Sequence, residues 1–414
     1  MTRTVPAPVP PALAPKSSTG AQRSTFRAML WLTILNSFAT GILWNGLGFI
    51  TDSVYRFSET ETYSLFIATG AAYTVTAFLT GSMLRRFASR LNARHAMQWL
   101  FIIQGAVAPL VYVGSSSIGL LAVAMTTSMT GAALWPVVES YIAAGRSASE
   151  VRKTLGIWCI AWMASVTAVL LLMAPLQGGS GWLDPRLSVF SILPLSAASL
   201  WIIRRVPDHP EHHHAEPEAH DARDRALLAS ARALLPASYL LVGALSPLMP
   251  YLLARMEVEA RAQTPLTATW LGIRTLTAAS LGVLAFWHGR WGTLLLGGVL
   301  LAGGFALVVG VPSLFAVTTG LALFGIGHGI VYYAAIYYAL RVGNAEVDAG
   351  GVHEALIGIG YVLGPLAGLG GHLLGGGGWT VLLLWSLLGV FAFPALLPWW
   401  RERQTNRRAS VSSR

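Results

Sequence analysis

Few side chains in this sequence can do chemistry, and those few stand in apolar surroundings. Arg274 lies within TATWLGIRTLTAASLGV and shares a helical face with Thr267, Trp270 and Thr277. Glu139 follows Pro136, with Ser128, Ala132 and Trp135 on its face, and the pair His353 and Glu354 opens a further apolar run. His328 sits between glycines with Tyr332 one turn on, and Asn36, Thr40 and Trp44 form a stripe at i, i+4 and i+8. A charge at the centre of a lipid-embedded helix costs about 2.5–3.5 kcal/mol on insertion scales, so such residues point to binding of a polar solute or ion. Arg274 suits an anionic or strongly hydrogen-bonding group. A carboxyl that alternates between burial and exposure takes up and releases a proton, and an imidazole titrates near neutrality. Each has a purely structural counterpart: an Arg on a helix carbonyl, a Glu snorkelling to an interface, a His packed between helices.

The elements that position these residues follow from charge. Ala96 to Val138, Thr293 to Leu340 and Ala355 to Trp400 contain no Asp, Glu, Lys or Arg, and run for 43 to 48 residues. One bilayer crossing takes roughly 20 apolar residues, so each run holds two crossings. Lipid demands that backbone groups be paired within a helix or a closed barrel, and period-two alternation is missing, so the crossings are helices. Charged residues are 11% of the chain against about 25% in a typical soluble protein. Loop signals place twelve spans at about 26–50, 62–84, 96–114, 117–143, 154–176, 186–203, 230–254, 265–286, 292–311, 313–340, 350–373 and 378–400.

The fold class expected is an all-α polytopic membrane protein with two six-helix bundles, 26–203 and 230–400. A disordered Pro-rich tail (1–25), a His-rich linker (204–229) and a basic tail (401–414) complete it. With the N-terminus inside, 23 Lys and Arg fall on the cytoplasmic side against Arg56, Arg186, Arg255 and Arg261 outside, which places both termini and the linker in the cytoplasm. The net charge of +10 is therefore a topology feature, and nucleic acid is not an expected partner. Cys159 is the single cysteine, which excludes an internal disulfide. His209, His212, His213, His214 and His220 could bind a metal, but a low-complexity segment fixes no geometry, so no metal site and no cofactor are expected. Nucleotide-binding GK[ST], HExxH and nucleophile-elbow motifs are missing, which argues against ATP hydrolysis and protease chemistry.

The two halves echo each other. GSMLRRFASR (Gly81 to Arg90) and GVLAFWHGRW (Gly282 to Trp291) both enter short cytoplasmic loops, and Gly131 to Glu150 aligns with Gly329 to Asp348. Here the chain resembles the major facilitator superfamily, whose loop motif reads G-x-L-a-D-r-x-G-r-R. Gly282, Leu284, Ala285, Gly289 and Arg290 fit the second copy, and Gly81, Arg86 and Arg90 the first. The motif's Asp falls at Arg85 and Phe286, so the latch that it forms in the family does not carry over. Gly360, Gly364, Pro365 and Gly368 resemble the family's antiporter motif, displaced from helix 5 to helix 11; what it implies here is a bent helix with a close-packing face.

The resemblance implies a secondary transporter of a small organic solute working by alternating access, expected in a bacterial-type inner membrane; Arg274 favours an anionic or strongly hydrogen-bonding group on the solute, and the abundant Trp and Tyr an amphipathic body. Its expected partners are the solute, protons and the lipid bilayer, and it is expected to be a monomer without enzyme activity. Arg274, Trp270, Thr277, His328, Tyr332, Asn36, Thr40 and Trp44 are the expected solute-binding residues. Glu139, His353 and Glu354 are the expected coupling or gate residues. A facilitator-fold sensor or assembly scaffold is the alternative, and an enzyme acting on lipid would require His or Asp clustered at one interface.

Overall fold

A computed structural model describes residues 20–86, 92–113, 117–146, 148–177, 184–210, 222–342 and 347–412. Every regular element among them is helical. Twelve helices follow in chain order: α1 Gly20–Ser53, α2 Glu59–Arg86, α3 Ala93–Val107, α4 Ser117–Ala143, α5 Ala148–Met173 and α6 Arg186–Ile203 form the first half. The second half consists of α7 Ala222–Arg255, α8 Ala260–Val283, α9 Trp291–Gly310, α10 Leu314–Val342, α11 Val347–Leu373 and α12 Gly377–Ser412. Ten are long and apolar enough to cross a bilayer. The other two are α3, short but extended by the 3-10 turn Ala108–Tyr112, and α8, which carries Arg274 and many hydroxyls.

The apolar residues are distributed for lipid. Phe315, Phe393, Trp201 and Leu276 are exposed on the outer faces, whereas Asn36, Gln104, Ser128 and Thr264 are buried inside. Only 17% of the apolar stretch of α12 is buried against 72% of that of α7, which makes α12 peripheral and α7 central. The halves meet where α2 packs on α11 and α5 packs on α8. Gly156 of α5 and Gly282 of α8 allow the second contact: a Cβ on Gly156 would lie 3.5 Å from the Gly282 Cα. The repeat also appears in three dimensions. Arg205 lies 4.5 Å over Trp201 at the end of α6, and Arg403 lies 4.4 Å over Trp399 in α12.

Several expected boundaries shift. Helix α1 already begins at Gly20, inside the tail expected to be disordered, and α12 continues to Ser412 through the basic tail. The linker is shorter than expected, because α7 begins at Ala222 and the chain leaving α6 is tied down. Arg94 pairs with Asp208 at 2.7 Å, and the Tyr141 hydroxyl donates to the Pro207 carbonyl at 2.7 Å. His209 is exposed; His212, His213, His214 and His220 lie outside the described residues, as does Arg90. Cys159 is fully buried in α5.

Two loops show why glycine stands where it does. Gly145 after α4 and Gly289 after α8 adopt φ of +68° and +66°, the left-handed region that costs other residues about 1–2 kcal/mol. Gly289 also donates its N–H to the Tyr338 hydroxyl at 3.0 Å, and the buried Trp287 indole donates to the Leu281 carbonyl at 2.9 Å, closing the end of α8. The second loop motif is thus a helix stop fastened to α10.

Candidate functional site

A cavity of about 60 Å³ lies at the centre of the molecule, lined by helices of both halves. Its first wall comes from a local slip in α1, where Ile42–Gly46 form a π-helical turn. Such turns recur at functional sites because the extra residue redirects side chains. Here Trp44 and Asn45 both face the cavity. Trp44 stacks on Tyr361 of α11, with centroids 3.7 Å apart and planes within 6°, so the cavity is spanned by an aromatic pair with one ring from each half.

Arg274 is buried in the opposite wall. Its guanidinium lies 4.5 Å over the Trp162 ring of α5 and 5.0 Å over that of Trp270, one turn earlier on its own helix. Two desolvated cation–π contacts of up to about 2 kcal/mol each offset much of the insertion cost of the charge. They do not satisfy its donors. Nε and Nη2 are buried and have no hydrogen-bond partner among the described residues.

The end of the molecule from which the chain joining α6 to α7 leaves is here the linker end. Towards it, Glu139 of α4 meets His353 and Glu354 of α11, with donor atoms within 4.8 Å of one another. All three are buried at 3% exposure. Tyr73 of α2 donates its hydroxyl to Glu354, which also lines the cavity, whereas both Glu139 oxygens and His353 Nε2 have no partner among the described residues. The cluster therefore joins the halves, and its spacing could serve a shared proton or a divalent cation.

The far end is also closed. Glu59 at the start of α2 pairs with Arg255 of α7 and lies 3.3 Å from Nδ1 of His372 of α11. Beside it the Tyr251 hydroxyl bonds Thr62 at 2.6 Å and the Phe57 carbonyl at 2.9 Å. The halves touch on both sides of the cavity, an occluded arrangement.

The sequence-derived candidates divide. Arg274, Trp270, Tyr332, Thr40 and Trp44 line the cavity together, and Glu139, His353 and Glu354 form one cluster. Three expected solute-binding residues do not reach the cavity. Asn36 accepts from Gln104 at 3.3 Å, and Gln104 accepts from Thr130 at 2.8 Å, so this stripe residue ties α1, α3 and α4 together. Thr277 bonds the Ile273 carbonyl of its own helix and packs against Gly329. His328 is fully buried behind the wall, 5.0 Å from Tyr239 and 5.6 Å from Trp270.

The glycine motif of α11 proves to be packing: Gly360 and Gly364 press on α7 at Tyr239 and Leu240, Pro365 meets Gly243, and Gly368 faces the Tyr63 ring. In the first loop motif, Gly81 is half-buried and Arg86 exposed, while Arg290 sits at the start of α9. Sequence reasoning missed Tyr73, Trp158, Trp162 and Tyr361. Trp158, Trp162 and Val166 recur at every fourth position of α5, and that spacing marks a common face.

Two helical bundles closing from both ends on a central cavity are the architecture of a membrane carrier. The model of the Major Facilitator Superfamily matches residues 29–365. The chain belongs to that superfamily, a family of membrane transporters and not of enzymes. Its fold is similar to that of the human organic anion transporter MFSD10 (TETRAN), with a TM-score of 0.67 and 16% identity over 92% of this chain and 100% of the other. A bacterial homolog of the human lysosomal transporter Spinster gives 0.64 and 15%, over 92% and 97%. The nucleoside transporter NupG gives 0.62 and 14%, over 92% and 100%. No curated protein sequence matches the chain.

Proposed function

We propose that this chain moves a small amphipathic organic anion across a bacterial cytoplasmic membrane as a proton-coupled monomer. Binding at Arg274 alternates between the two sides as the halves rock. The distribution of Lys and Arg supports cytoplasmic termini, which makes the linker end the cytoplasmic end. The observation that carries the coupling is the pairing of Glu139 with Glu354 across the halves, beside the cavity that holds Arg274. Two ionised carboxylates so close repel, so the closed linker end requires a proton between them, and opening releases the constraint. Glu354 and His353 of α11 lie against Glu139, Tyr332 of α10 and Cys159 of α5 are within its electrostatic reach, and Tyr73 of α2 bonds Glu354. That the human neighbour is named an organic anion transporter is in keeping with this reading.

The test is uptake into proteoliposomes under an imposed pH gradient, with a panel of organic anions, cations and neutral solutes. Accumulation of an anion that collapses when the gradient is dissipated is the expected result. Uptake that ignores the pH gradient, or that requires added Zn²⁺, would overturn the proton reading. No transport of any solute would favour a sensor.

A further inference from the structure

Of the guanidinium nitrogens of Arg274, Nε and Nη2 are the buried pair without partners. These two N–H groups lie side by side on one edge of the planar group, pointing the same way. Such an edge matches the two oxygens of a carboxylate, which accepts both bonds in one plane. The rings of Trp162 and Trp270 hold the guanidinium by its π contacts and take no hydrogen bond from that edge. The rest of the cavity is largely aromatic, with Trp44, Trp135, Trp158 and Tyr361 among its walls. Flat apolar surfaces of this kind stack on a planar body and reward it more than a branched or hydrated one.

We propose that the ligand is an aromatic monocarboxylate that enters when the halves part and widen this cavity beyond its occluded volume of about 60 Å³, its carboxylate held edge-on by Nε and Nη2 of Arg274 and its ring packed against those of Trp44, Trp162 and Tyr361. The inference rests on the carrier reading and narrows it from organic anions in general. With Glu354 carrying a proton, one guanidinium balances one negative charge; a dianion would bring a second charge into the cavity without a countercharge. A cation meets the fixed charge of Arg274 directly. A neutral isostere such as an alcohol leaves at least one of the two donors unpaired, and a site built to bond a group rejects the analogue lacking it strongly.

Trp162 gains a role here as a specificity residue. It comes from α5, whereas Arg274 is on α8, so the orientation of the fork depends on contact between the halves. Replacing Trp162 by Leu keeps an apolar wall but removes the surface that fixes the guanidinium plane.

The experiment is equilibrium binding to the purified full-length protein, followed by tryptophan fluorescence, with benzoate, benzenesulfonate, benzyl alcohol, benzylamine and acetate as probes. Benzoate should bind at least tenfold more tightly than each of the others. Arg274→Lys keeps the charge and loses the fork, and should reduce the preference for benzoate over benzenesulfonate at least tenfold. Trp162→Leu should weaken benzoate severalfold more than benzyl alcohol, because both lose a ring contact and benzoate alone also loses the oriented fork. Size-exclusion profiles and thermal midpoints establish that both variants are folded; Arg274→Gln replaces any variant that is not. Equal binding of benzoate and benzenesulfonate, or full benzoate affinity in folded Arg274→Lys, overturns the carboxylate fork. Gradient-driven uptake of some other solute class with no benzoate binding overturns the inference and leaves the carrier reading standing. Benzoate binding without gradient-driven uptake supports the fork and refutes proton coupling.

Discussion

Replacing Glu139 by Gln tests whether the cross-half carboxyl pair drives the cycle. The donor atoms of Glu139 and Glu354 lie within 4.8 Å when the linker end is closed. Two full charges at that separation repel by about 3.5 kcal/mol at an effective dielectric constant of about 20. Closure with both carboxylates ionised is therefore disfavoured about 300-fold relative to closure with one protonated. The amide of the Glu139→Gln variant carries no charge, so closure would no longer wait for a proton. The expected outcome is counterflow exchange at near wild-type rate, with accumulation driven by an imposed pH gradient reduced to the level without one. Both are measured in the same proteoliposomes. If Glu139→Gln still accumulates solute against its gradient, the charge pair does not couple transport, and the repulsion calculated from this geometry is not felt in the cycle.

Arg274→Ala should abolish solute binding and uptake while the protein still inserts and is recovered at near-normal yield, because the two indoles beside it pack without the charge; normal uptake would return Arg274 to a structural role. Glu354 lines the cavity with Arg274, so its negative charge opposes an anion: benzoate affinity should rise as pH falls through the range in which benzoate stays ionised, and Glu354→Gln should be uniformly tight. A pH dependence that persists in that variant would exclude Glu354 as its source. Glu59→Gln removes the ion pair at the far end; because Arg255 is 58% exposed there, the effect should be modest, about 0.2–1 kcal/mol, read as up to fivefold faster labelling of Thr40→Cys by an impermeant thiol reagent. Unchanged labelling would show that Glu59 does not hold that end shut. Serine at His209, His212, His213, His214 and His220 together should leave uptake and zinc sensitivity unaltered, as uptake assays with and without chelator will register.

The parts of the site that were legible in the sequence were those whose cost is local. Arg274 and Glu139 stand out because a charge in an apolar helix must be justified by its surroundings, and their depth along α8 and α4 follows from counting residues. Partner choice is not local. Asn36, Thr277 and His328 carry the same polarity as true cavity residues, yet the Asn36 oxygen accepts across helices, Thr277 bonds its own backbone, and His328 packs among rings. The π-helical turn that aims Trp44 and Asn45 leaves no mark in composition. Nor does sequence pair Glu59 with Arg255, 196 residues away, because that contact exists only once the halves have docked.

Cys159 makes the protein ready for distance spectroscopy. It is the single cysteine and is fully buried, so introduced thiols can be labelled without first removing a native one. Ser82→Cys with Val352→Cys reports on the linker end of the α2–α11 seam, and Ser64→Cys with Leu373→Cys on the far end, all four at exposed positions. In the occluded form both pairs should give short spin-label separations. A rocking molecule lengthens one pair while the other stays short, whereas a molecule that merely loosens lengthens both together.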